Sequence, residues 1–172
     1  MRIYTIISRL LDYPDQELMD NLELLQHMVD RELELSSSER RSVTQVLQWM
    51  KGQSLLELQE DYVQTFDLKP EHSLHLTHHL FGDDRGRGPA LVDLGEHYKS
   101  TGLQAVESEL PDYLPLILEY VATLDDVSAR FFLADAAKVL TVLADNLEQA
   151  QKPYASLIRL IENRGRLAQT AA

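Results

Sequence analysis

Apolar residues recur every three to four positions along almost the whole chain, which is the spacing of amphipathic α-helices. The pattern predicts an all-α fold of about seven to nine helices in a single globular domain covering residues 1–172. The positions that define the successive apolar faces are Ile3, Ile6, Ile7, Leu10 and Leu11; Leu18, Leu22, Leu25 and Val29; Val43, Val46, Leu47 and Met50; Leu55, Leu58, Tyr62 and Phe66; Leu91, Leu94 and Tyr98; Leu114, Ile117, Leu118 and Val121; Phe131, Phe132, Val139, Leu140, Leu143 and Leu147; and Leu157, Ile158, Ile161 and Leu167.

Short polar motifs indicate where the first helices begin. Asp15 is placed to cap the second helix, since an aspartate side chain accepts hydrogen bonds from the free amides of a first turn. Ser36 with Glu39, and Ser54 with Glu57, have the spacing of a capping box. These signals fix the second, third and fourth helices in sequence.

Later boundaries depend mainly on proline. A helix is expected after Pro89, another after Pro111 with Asp112 as its cap, one long helix from about Ser128 to Gln149, and a last one after Pro153. Residues 72–81 fit both a strand and a helix. We favour a helix there because the chain offers no obvious partner strand.

Composition narrows the functional classes. The chain has 172 residues, 28 acidic against 16 basic side chains, a formal charge of -12 and no cysteine. The negative charge repels nucleic acid and anionic lipid headgroups, and the absence of cysteine excludes disulfides and thiolate metal sites. No apolar run approaches the length of a transmembrane helix, and the N-terminus lacks the features of a signal peptide. We therefore expect a soluble, cytoplasmic protein.

The histidines offer one candidate chemistry. If residues 72–81 formed one helix, His72, His75 and His79 would lie within an arc of about 60° and could face a single metal ion. Neither an HExxH motif nor paired Cys/His spacing accompanies them. A metal-dependent hydrolase and a polar surface without metal both remain open.

The loop from Gly82 to Gly88 offers a second candidate chemistry, which is anion binding. Its glycines and arginines precede a helix and could cradle an anion, but the loop lacks the Lys-Ser/Thr pair of a P-loop. The alternative is that Arg85 and Arg87 pair with nearby acids. No nucleophile elbow or spaced pair of carboxylates indicates an active site.

Four motifs in the same order resemble the NarJ family, the assembly chaperones of respiratory nitrate reductase and relatives of the TorD and DmsD redox-enzyme maturation proteins. Together they cover roughly the middle third of the chain. The motifs are Tyr62-x3-Phe66-Asp67, Ser73-Leu74-x-Leu76-Thr77, Gly82-Asp83-x-Arg85-x-Arg87-Gly88-x-Ala90-Leu91 and Glu109-Leu110-Pro111-Asp112-x-Leu114-Pro115-x2-Leu118-Glu119.

The resemblance implies a TorD-like, non-catalytic helical chaperone without a cofactor or metal of its own. Such a protein holds the molybdenum-containing catalytic subunit in the cytoplasm, through that subunit's N-terminal segment, until the cofactor is inserted. An acidic helical domain suits a basic amphipathic peptide. A helical scaffold or regulator of a folded partner is a further alternative. The residues that the resemblance places on the client-binding surface are Tyr62, Phe66, Asp67, His78, Asp83, Arg85, Arg87, Glu109 and Asp112.

The chain departs from the family pattern at several positions. His75, His78 and His79 stand where aromatic residues are usual, and Gln64 stands where an acid is common. These departures leave open a client from a related molybdoenzyme. They also predict that client binding depends on pH near neutrality, because histidine titrates there.

Overall fold

The structure, a computed structural model, describes residues 2–82, 85–100, 102 and 109–170, with only the backbone of 167–170. The described residues form ten α-helices and no strand, which confirms the all-α prediction. None of these helices is both long enough and apolar enough to cross a bilayer. The helices are α1 (Arg2–Leu11), α2 (Gln16–Arg31), α3 (Ser37–Lys51), α4 (Leu55–Tyr62), α5 (Leu76–Phe81), α6 (Arg87–Ser100), α7 (Leu114–Thr123), α8 (Asp126–Asp135), α9 (Ala137–Gln149) and α10 (Ala155–Thr170), with a π-helical turn at Val63–Asp67 and a 3-10 turn at Pro70–His72.

The first helices begin where their caps predict. The Asp15 side chain accepts a hydrogen bond from the amide of Leu18, and α2 follows it. Both predicted capping boxes form, because Glu39 and Glu57 each reach back to the serine three residues before them. Each cap satisfies amides that a helix start leaves without a partner.

The core is built around α1 and α10. Helix α1 is buried on nearly all sides and packs against α7, where the Ser8 hydroxyl donates to the carbonyl of Pro115 over 2.8 Å. Helix α10 packs against α8 and α9. At Gly165 an added Cβ would lie 2.8 Å from the backbone of Leu133, so α10 and α8 meet backbone to backbone. Glycine is required there by space.

The prediction of one long helix over 128–149 is wrong. The chain turns at Ala136, between α8 and α9, and α8 begins earlier, after the Asp125 cap. Both helices pack against α10, so a single straight helix could not make the two sets of contacts. Phe131, predicted to be buried, is 55% exposed.

The prediction of a helix over 72–81 is also wrong in its first half. The chain passes from the 3-10 turn into an extended segment, and α5 starts only at Leu76. His75 forms an isolated antiparallel bridge with Tyr113, a partner that local periodicity does not reveal. The bridge is closed by hydrogen bonds from Leu76 N to Asp112 O and from Leu114 N to Leu74 O, of 3.0 and 2.9 Å.

Candidate functional site

A buried carboxylate joins the two motif-rich segments. Asp112 is fully buried, and its Oδ2 accepts hydrogen bonds from the Thr77 amide, over 3.1 Å, and from the Thr77 hydroxyl. The Nδ1 of His75 donates to Oδ1 over 3.2 Å, and the guanidinium of Arg87 lies 3.6 Å from Oδ2. We call these four residues the Asp112 junction.

The junction fixes the charge of its carboxylate. Burial by itself raises the pKa of Asp112, but the hydrogen bonds from His75 and Thr77 outweigh burial and hold the pKa below its ordinary value. Asp112 is therefore ionised at neutral pH. It does not cap α7 as predicted, since α7 begins at Leu114 and the N-cap position belongs to Tyr113.

The junction also attaches α6 to the rest of the protein. Arg87, in the first turn of α6, donates from Nε to the Thr77 hydroxyl over 3.1 Å. Farther along, the Tyr98 hydroxyl donates to the carbonyl of Pro111 over 2.7 Å. Tyr98 is the one fully buried side chain among the described residues of α6. Polar contacts to the 109–113 segment therefore hold α6 in place, whereas the other helices are held mainly by buried apolar side chains.

A row of aromatic rings continues from the junction into the core. The His75 ring lies 5.3 Å from that of Tyr113, whose hydroxyl donates to Asp12 over 3.0 Å and lies 2.7 Å from the Tyr62 hydroxyl. The Tyr62 ring is 4.9 Å from Phe66. Burial raises the pKa of both tyrosines, so both stay neutral hydroxyls.

The candidate surface residues occupy different depths. Tyr62, Phe66 and Asp112 are buried. Asp67, Arg85 and Glu109 are exposed, while His78 and Arg87 are half-buried. Asp83 lies outside the described residues. Glu109 reaches the junction, with a carboxylate oxygen 3.9 Å from Nε2 of His75.

The segments that carry the Asp112 junction also carry exposed apolar side chains. Leu80 and Phe81 end α5 and are 61% and 36% exposed, and Leu110 is 43% exposed beside the buried Asp112. We call Leu80, Phe81 and Leu110 the rim. Exposed apolar side chains of this kind are typical of surfaces that bind an amphipathic segment.

The histidine cluster does not gather around a metal. The Nδ1 of His72 donates to the Thr65 carbonyl, and the Nε2 of His79 donates to the Ser73 carbonyl. His75 turns to Asp112 instead. In the parts of the chain that the structure describes, no three histidine, aspartate or glutamate side chains are placed to hold a metal ion. The arc predicted for the three histidines fails because the segment is not one helix.

Sequence reasoning missed Tyr113 and Asp12. Tyr113 falls at an unspecified position of the fourth motif, and its partner lies 101 residues away. The available signal was the placement of Tyr113 between two prolines, directly after Asp112. Proline in a first helical turn marks the entry into α7, but it does not indicate which distant residue Tyr113 contacts.

The residues that the structure describes define an all-helical protein whose two motif-rich segments meet at an internally hydrogen-bonded polar junction. The chain belongs to the nitrate reductase delta subunit family, whose model matches residues 32–158. The predicted membership in the NarJ family is thereby confirmed.

Three relatives show how far the similarity extends. The chain is 36% identical to the nitrate reductase molybdenum cofactor assembly chaperone NarJ of Escherichia coli K12, over 96% of this chain and 69% of that protein. It is 35% identical to the probable chaperone NarW of the same strain, over 91% and 65%, and 32% identical to the probable chaperone NarJ of Bacillus subtilis 168, over 92% and 85%. These names describe assembly chaperones and not enzymes.

Proposed function

We propose that this protein is a cytoplasmic chaperone for the catalytic subunit of a respiratory nitrate reductase or a related molybdoenzyme. It binds the N-terminal segment of the apo subunit and keeps that subunit competent for insertion of the molybdenum cofactor. The observation that carries the proposal is the similarity to relatives named as molybdenum cofactor assembly chaperones, over more than nine-tenths of this chain.

The client segment binds along the rim beside the Asp112 junction. Exposed Leu80, Phe81 and Leu110 take the apolar face of an amphipathic helix, and Asp67 and Glu109 face its basic residues. The formal charge of -12 attracts a basic segment from a distance and accelerates encounter.

The buried members of the predicted set act by positioning. Tyr62 holds Tyr113 through their hydroxyl groups, and Phe66 packs against the Tyr62 ring. Asp112 fixes α5 and α6 relative to the 109–113 segment. Arg87 completes this attachment from α6. His78, Arg85 and Asp83 stay proposed client contacts.

Calorimetric titration tests the proposal directly. The probe is a synthetic peptide of the N-terminal segment of the nitrate reductase catalytic subunit encoded in the same genome, with a scrambled peptide as control. We expect saturable binding of one peptide, weakened by salt because opposite charges are screened. Equal binding of both peptides, or of neither, would contradict the proposal.

Paired variants locate the surface. Leu110→Asp should weaken peptide binding strongly, since it places a charge where an apolar side chain docks. The control Leu33→Asp changes a leucine that is more exposed and lies in the α2–α3 connection. If both variants bind as the wild type does, the client segment binds elsewhere.

A further inference from the structure

A cavity lies next to Asp12, the residue that accepts the hydrogen bond of the Tyr113 hydroxyl. It has a volume of about 190 Å³ and is formed where α1, α2 and α7 meet. Its apolar walls include Ile6, Leu25 and Met28. This is enough space for one long aliphatic side chain.

The mouth of the cavity is acidic. Asp12 and Glu119 line it together with Arg9. Arg9 is already engaged, because its guanidinium pairs with Asp15 and lies 3.8 Å from Asp12. The Glu119 side chain is exposed, and it makes no hydrogen bond or ion pair with any residue in the described ranges.

The surroundings of Glu119 disfavour its negative charge. Burial and the neighbouring charge of Asp12 both raise the pKa of Glu119. A cation bound between the two carboxylates would oppose both effects, because its charge attracts the ionised form of Glu119. A bound anion would add a third negative charge, and a purely apolar group would desolvate Glu119 further without pairing it.

Tyr113 links the cavity to the Asp112 junction. Asp12 accepts the hydrogen bond of the Tyr113 hydroxyl, and Tyr113 lies against His75 of the Asp112 junction. Glu119 stands on α7, the helix that begins directly after Tyr113. One tyrosine thus contacts both a residue of the cavity and a residue of the junction beside which the client segment is proposed to bind.

We infer that the cavity binds one lysine or arginine side chain of the client's N-terminal segment. The aliphatic stem lies against Ile6, Leu25 and Met28, and the charged group sits between Asp12 and Glu119. The inference rests on the proposed function for the identity of the client. The cavity's preference for an alkyl cation can be tested without the client.

The first experiment uses hexylguanidinium as the probe and hexanol as its uncharged control, with binding followed by NMR of the Ile6, Leu25 and Met28 methyl groups. We expect hexylguanidinium to shift these signals at lower concentration than hexanol. Glu119→Gln should weaken hexylguanidinium binding about two- to fivefold, the range of a partly exposed ion pair, and leave hexanol unaffected.

The matched control is Glu17→Gln, which removes the same charge from an exposed position at the start of α2, outside the cavity. Equal shifts from hexylguanidinium and hexanol would overturn the inference, as would equal weakening by the two variants. Absence of any shift would overturn it as well.

The second experiment is a double-mutant cycle with the client peptide. Each basic residue of the peptide is changed in turn to glutamine and titrated against the wild type and Glu119→Gln. We expect one basic residue to lose most of its effect in Glu119→Gln. A peptide that binds without such coupling overturns the cavity inference and leaves the proposed function intact. Failure of the peptide to bind, together with normal hexylguanidinium binding, overturns the proposed function and the assignment of the occupant.

Discussion

The Asp112 junction makes a quantitative prediction about stability. Asp112→Ala leaves the amide and hydroxyl of Thr77 without their acceptor in the interior. Hydrogen bonds to a charged group contribute about 1.5–3 kcal/mol each. Arg87 is 26% exposed and adds little, because water replaces much of its interaction. We expect the free energy of unfolding to fall by about 3–4 kcal/mol, the cost typical of breaking a buried charged pair.

Urea denaturation at neutral pH measures this change. In a thermal melt, the melting temperature should fall by about 10 °C, since 1 kcal/mol corresponds to roughly 2–4 °C for a chain of this size. Asp126→Ala is the control, because its exposed pair with Arg130 lies at helical i, i+4 spacing and should cost under about 1 kcal/mol. A cost for Asp112→Ala no greater than that of the control would refute the role assigned to the junction.

Acid titration tests the same carboxylate. Because the folded-state pKa of Asp112 is lowered, its contribution is complete above the ordinary aspartate pKa of about 3.9 and is lost as the pH falls through the folded-state value. The stability difference between the wild type and Asp112→Asn should therefore be largest near neutrality and shrink in acid. A difference that does not change with pH would show that the charge contributes nothing.

Three further predictions concern packing, a buried guanidinium and a histidine. Gly165→Ala should destabilise the fold by about 1–3 kcal/mol in urea, because the added methyl meets the backbone of α8, and an unchanged midpoint would contradict that contact. Glu39→Gln should lower the free energy of unfolding by about 2 kcal/mol, because it leaves the buried Arg164 without its carboxylate partner. The control Glu57→Gln loses a similar capping box and no buried partner, so it should cost less. Equal costs for the two variants would contradict the role assigned to Arg164. Burial lowers the pKa of His79, so the unfolded chain binds a proton more readily and stability should fall as the pH drops below about 6.5; His79→Gln should flatten this slope, and a slope that stays unchanged would assign it to other groups.

Local signals predicted the first third of the fold well. The caps at Asp15, Ser36 and Ser54 act within three residues of themselves, so the sequence carries all the information that the helix start needs. The turn at Ala136 has no such signal. It follows from the packing of α8 and α9 on α10, and no glycine or proline stands there to announce it.

The sequence predicted several residues of the candidate site, but it did not predict how these residues contact one another. The motifs indicated that Asp112 and Arg87 matter, but their contact joins residues 25 positions apart through Thr77. The bridge of His75 with Tyr113 has the same character. Contacts between residues so far apart in sequence depend on tertiary packing. Helical periodicity reports only local structure and does not predict such contacts.

The most direct test of the central claim is the molybdenum content of the nitrate reductase catalytic subunit, purified from cells that lack this protein and from the same cells with the gene restored. The account predicts that the subunit accumulates without molybdenum in the deletion and regains it on complementation. A subunit that carries the same molybdenum content in both cells would contradict the account.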